Sequence, residues 1–230
     1  MPGRACLCVC LVLAAWPAQG SEAEFRRRCE ERLPAPSLVV KRAESGYSVE
    51  HHLSHRELTG MGADLLKHGK SNVLGITRAE TAATVEMKLV RLENEGGTQE
   101  CLSPQVVITI EYKPIRIFIG REFPADSCTY QEILQHEMRH VRTYQEHLPR
   151  IQAAVSAQLK PIFDPRILLG APGTLERRLK TRIHEEWLPV VDREIRRVNA
   201  TQALIDSAEE YDRMENVCDG EVQRILGQAT

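Results

Sequence analysis

Two histidines four residues apart, with a glutamate directly after the first, constrain this chain more than any other feature: His136-Glu137-Met138-Arg139-His140. On an α-helix, residues i and i+4 share a face, so both imidazoles can reach a single metal ion. Glu137 projects near the same face, where a carboxylate can hold and deprotonate a water. The flanking residues predict the helix itself. Thr129-x-x-Glu132 reads as its capping box, and Pro149 sets its end near Leu148. Ile133, Val141, Tyr144 and Leu148 form one apolar face, and Glu137 and His140 fall within the same arc. Ionisable groups on a buried face cost free energy unless something compensates them, and a divalent cation would.

A catalytic zinc needs a third protein ligand and one open position. Downstream, Glu215 is the favoured candidate, because a helical wheel sets it among Leu204, Ala208, Tyr211, Cys218 and Val222. Asp219, one turn later, is expected to accept the free N–H of a ligating histidine. Asp212 is the alternative third ligand. Glu146 and His147 would be carried roughly 15 Å along a straight helix from His136, too far to share the metal. Glu185 and Glu186, beside Trp187, read as surface helix. His184 or Tyr211 could stabilise an oxyanion. His51, His52 and His55 read as solvent-exposed, since a capping box starting at Ser54 puts His51 and His55 on different elements.

Around the motif the chain alternates in character. Ser37 to Val40 and Tyr47 to Leu53 read as extended, and a helix follows from His55 to Lys67, stopping at Gly69. Thr84 to Leu92, Gln105 to Tyr112 and Arg116 to Gly120 read as strands of one small antiparallel sheet. The last third reads as helix: 150–160, 174–199 with a bend at Pro189, and 202–226 unbroken. The expected fold is α+β, a small antiparallel sheet packed on a zincin-like helix with a helical C-terminal third. One domain over 21–230 accommodates it, mixed and mainly β over 21–126 and helical over 127–230.

Residues 1–20 carry the pattern of an export signal. Arg4 precedes an uncharged apolar run from Ala5 to Trp16, and Ala18-Gln19-Gly20 supplies the small residues of a cleavage site. Twelve apolar residues are too few to span a bilayer. Secretion or residence in a periplasm follows as the expected location. Cys6, Cys8 and Cys10 leave with the signal, and Cys29, Cys101, Cys128 and Cys218 remain, an even number that implies two disulfides. Three pairings exist; Cys101–Cys128 with Cys29–Cys218 is the favoured one. Without Arg4, Lys plus Arg falls from 30 to 29 against 32 acidic residues, and no basic stripe points to nucleic acid.

Strands, a cysteine before a Val/Ile-rich strand, a His-Glu-x-x-His helix and a late Glu-Tyr-Asp segment follow one another here. In that order the chain, from about Tyr47 to Gly220, resembles a bacterial family of exported proteins predicted to be zinc-dependent proteases. The matching residues are Cys101, His136, Glu137, His140, Tyr211 and Asp212. The chain departs from that family at Arg139, where glycine is usual, and at Asp219-Gly220, which stands where a His-Gly pair would follow. The expectation is an exported metallopeptidase holding one zinc, with Glu137 as general base and a peptide or protein as substrate. The alternatives are a non-catalytic exported metal-binding or envelope interaction protein, and a hydrolase of a non-peptide amide.

Overall fold

The computed structural model describes residues 19–44, 46–62 and 72–228. The expected export signal, apart from its last two residues, lies outside these, as does the end of the helix predicted from His55 to Lys67, with its stop at Gly69. Helix α1 (Gln19–Arg32) leads into strands β1 (Ser37–Ala43) and β2 (Tyr47–Glu50) and a short helix α2 (His55–Met61). Strands β3 (Gly75–Arg78), β4 (Thr81–Glu93), β5 (Glu100–Tyr112) and β6 (Ile115–Ile119) follow, then the long helix α3 (Cys128–Leu159). Strand β7 (Leu168–Gly170) and helices α4 (Thr174–Arg182), α5 (Leu188–Arg196), α6 (Val198–Ile205), α7 (Ala208–Asn216) and α8 (Glu221–Gln228) complete the order.

The expected single antiparallel sheet is replaced by two mixed sheets. In the first, β5 is central, antiparallel to β4 along its whole length and parallel to β1 from Gln105 to Glu111. β7 extends the β1 side, pairing with Glu100 to Leu102. Pro104 falls in the gap between those two partners, where a missing N–H breaks no ladder bond. In the second sheet β6 is central, parallel to β2 and antiparallel to β3. Both parallel pairs arise because the N-terminal strands insert beside strands made much later in the chain. Alternation in hydrophobicity marks a strand but does not show the direction of its neighbour.

The alternation itself is realised. Val106, Ile108, Ile110 and Tyr112 of β5 point into the core, while Gln105, Val107, Thr109 and Glu111 are half-buried. Helix α3 lies across both sheets. Its buried stripe, Thr129, Ile133, Glu137, His140, Val141, Leu148, Ile151, Val155 and Leu159, with partly buried Tyr144 in its one wide gap, runs along the whole helix at helical spacing. That stripe corrects the predicted end at Leu148. Pro149 removes one N–H and disfavours the helix, yet it is solvent-exposed, and Ile151, Val155 and Leu159 continue the apolar face beyond it. The expected second helix at 150–160 is therefore the same helix. Its N-cap is Ser127, whose hydroxyl accepts from the N–H of Tyr130. Thr129 serves differently: its N–H and hydroxyl both bond the carboxylate of Glu221.

The cysteines pair as Cys29–Cys101 and Cys128–Cys218, not as favoured from the sequence. Cys101 opens a strand that runs roughly 40 Å before the chain turns. It packs with Phe25 and Ile167 in a satellite of the main core, and α1 brings Cys29 there. Cys128 begins α3, where the turn after α7 arrives with Cys218 and Asp219, both in the left-handed region. That bond and the Thr129–Glu221 contact hold the last helices against the start of the motif helix. No helix among the described residues is long and apolar enough to cross a membrane, and two disulfides fit an oxidising compartment.

Candidate metal centre

His136 and His140 stand one turn apart on α3 and aim their Nε2 atoms at a common point, 3.3 Å from each other. The third group there is Asp206, at the end of α6, whose Oδ1 lies 3.2 Å from each Nε2. A tetrahedral zinc with bonds of about 2.0–2.1 Å separates its ligand atoms by about 3.3 Å. The three edges of this triangle match that geometry. Among the described residues this is the group of ligating side chains close enough to share an ion.

Neighbouring side chains set the imidazoles for that role. Gln202 on α6 donates from Nε2 to the carbonyl oxygen of His140, 3.2 Å away, which turns its Oε1 toward His140 Nδ1 at 2.6 Å. Nδ1 must then carry the proton, and Nε2 presents its lone pair to the centre. Glu210 on α7 plays the same part for His136, accepting from Nδ1 at 3.1 Å. Arg139 Nη2 also lies 2.7 Å from that nitrogen, but it donates to the charged Glu210 oxygen, the stronger acceptor. Arg213 holds Glu210 from the other side at 2.9 Å and bridges to Glu132. Burial works against the Glu210 charge, but Arg213, His136 and Arg139 hold its pKa down at about 2.

With both Nδ1 protons assigned, three lone-pair-bearing atoms converge on one point. They repel unless a cation joins them. Burial disfavours charge on His140, but Asp206 and Glu137 raise its pKa above the ordinary histidine value. Burial likewise disfavours the Asp206 carboxylate, and the two histidines nevertheless hold it well below the usual range. The donor set of two imidazoles and a carboxylate fits zinc.

Glu137 is 3 % exposed. Thr77 of β3 donates to its Oε2 at 2.7 Å, and burial raises its pKa against the opposing pull of His136 and His140. Strand β3 passes close over this point. A Cβ on Gly75 would lie 2.6 Å from Ile133 Cγ2 and 2.8 Å from Glu137 Oε1. Ile133 is fully buried and cannot retreat. Gly75→Ala is therefore expected to cost about 1–3 kcal/mol in urea denaturation, because the overlap forces α3 and β3 apart.

The triad and Glu137 lie in the wall of a cavity of about 260 Å³ that Thr77, Tyr144, Gln202 and Tyr211 also line. Burial, Asp206 and Glu137 push the Tyr211 phenol up to about 12. Glu215, the favoured third ligand, reaches the cavity rim but is solvent-exposed, as are Asp212 and Asp219. None of these three joins the ligand triangle, and Gln202 and Glu210 take the orienting role expected of Asp219. His184 is exposed on a π-helical turn outside this cavity. Glu146 is exposed and His147 lies by the Tyr112 hydroxyl, away from the triad as predicted. The upstream histidines are not all on the surface: His55 is buried, its Nδ1 3.1 Å from Glu122, and His51 contacts the Gly120 carbonyl.

A readable signal for Asp206 was present. Ser207-x-x-Glu210 is a helix-start pattern of the same kind as Ser54-x-x-Glu57, and Ser207 does cap α7. A new helix start at Ser207 ends the preceding helix at Asp206, breaking the predicted unbroken helix over 202–226. The turn so formed delivers the carboxylate. No family model, curated protein or solved structure matches this chain.

Proposed function

We propose that this protein is an exported zinc-dependent peptidase, with zinc held by His136, His140 and Asp206. The observation that carries the reading is the triangle of His136 Nε2, His140 Nε2 and Asp206 Oδ1, set in a cavity wall beside the buried Glu137.

A zinc ion held by His136, His140 and Asp206 would supply Lewis acidity there, to acidify water and polarise a carbonyl. Glu137 accepts the proton of the attacking water and passes it to the leaving amine. Thr77 fixes one carboxylate oxygen for that task, and the Gly75 backbone closes over it. Tyr211, kept protonated by its surroundings, donates a hydrogen bond to the oxyanion as charge develops. Among the described residues β3 pairs with β6 alone, and its residues Gly75 to Thr77 also line the cavity. An extended peptide laid along that second edge gains backbone hydrogen bonds and brings a carbonyl past the triad.

The test is metal content measured with turnover. The purified protein is expected to hold one zinc per chain and to cleave an unfolded protein substrate. Chelation should stop cleavage, and added zinc should restore it. One tightly held zinc with no turnover of peptides or proteins would overturn the peptidase reading in favour of a metal-binding role.

A further inference from the structure

The cavity beside the triad is lined by two unlike sets of side chains. One is polar, with Gln202, Asp206, Tyr144 and Tyr211. The other is apolar: Val73, Leu74, Ile133, Met214, Val222 and Leu226. Asn72, Glu215 and Gln223 also line the cavity, the last two solvent-exposed. We propose that the apolar set forms a specificity pocket, taking an aliphatic or aromatic side chain from the residue next to the scissile bond. The proposal rests on the peptidase reading above and names the substrate class for it.

Ile133 stands three positions before His136 on α3, about 4.5 Å along the helix axis, so the apolar lining adjoins the triad. The far wall is rigidly placed. Helices α7 and α8 are joined by the turn containing Cys218, which is bonded to Cys128, and Glu221 at the start of α8 is bonded to Thr129. Met214 and Val222 flank that anchored turn, so the pocket exists before a substrate enters it. An apolar side chain leaves water for carbon neighbours there, and a charged one loses its hydration with no partner in return.

Two readouts test this, cleavage and binding. The zinc-loaded protein is given an unbiased peptide pool, and cleavage sites are mapped by mass spectrometry. The Glu137→Gln protein is titrated calorimetrically with short peptides that differ at one position, Leu or Phe against Asp or Lys. Leu and Phe are expected at one side of the cut, with binding about 10- to 100-fold tighter than for Asp. Leu226 is only partly buried, so Leu226→Lys should fold, and it should shift the preference toward acidic residues. Leu226→Trp fills the pocket and should favour small residues; circular dichroism checks both folds. Cleavage with no preference on either side of the cut, or a preference that neither variant moves, overturns the proposal. Selective binding without any cleavage supports the pocket while refuting the peptidase. Neither binding nor cleavage refutes both.

Discussion

Glu137→Gln is expected to keep its zinc and lose about 10²- to 10⁴-fold in kcat, the usual contribution of a positioned general base. The substitution preserves shape. The amide occupies the space beneath Gly75 that the carboxylate fills, where the backbone leaves little slack. Its oxygen can still accept the Thr77 hydroxyl, so the bond between β3 and α3 survives. What it loses is the capacity to take up and hand on a proton. Neither His136 nor His140 uses Glu137 to orient its ring, because Glu210 and Gln202 do that from the other side. Zinc content should therefore match the parent, measured by elemental analysis, and near-ultraviolet circular dichroism should be unchanged. Activity equal to the parent would refute the assignment of Glu137 as base. Loss of zinc together with activity would recast the residue as structural.

The sequence was most informative where a single element decides the outcome. A pair of histidines at i and i+4 needs only a helix, and the apolar stripe through Ile133, Val141 and Leu148 supplied one. The same stripe outvoted Pro149, a case of burial overriding a local breaker. Long-range relations were less legible. β1 and β5 are parallel partners 68 residues apart in register, and nothing in either strand's alternation shows which way the other runs. The cysteine pairing had the same difficulty, since three connectivities share one composition and the choice depends on which ends of β5 and α3 the helices reach. At the centre itself, Glu215 was favoured because a helical wheel assumed an unbroken helix. The chain instead stops at Asp206 and restarts at Ser207, which exposes Glu215 and presents Asp206. Local capping chemistry carried more information there than periodicity did.

That distinction makes the second large prediction a direct contest between residues. Asp206→Ala is expected to weaken zinc binding by more than the 10- to 100-fold that loss of an outer partner costs. It removes one corner of the His136–His140–Asp206 triangle and the negative charge that would balance an ion there. Glu215→Ala and Asp212→Ala, both exposed and off the triangle, should leave zinc affinity within a few-fold of the parent. Gln202→Ala and Glu210→Ala should fall between, since each releases one imidazole from its fixed tautomer without removing a ligand. Thermal unfolding reads the same ranking. A ligand present at about 1,000 times its dissociation constant stabilises the folded state by about 4 kcal/mol. Added zinc should therefore raise the Tm of the parent by several degrees and that of Asp206→Ala far less. Equal zinc responses in Asp206→Ala and the parent, with Glu215→Ala silent to zinc, would return the third ligand to Glu215. They would also mean that the helix break at Asp206-Ser207 has another purpose.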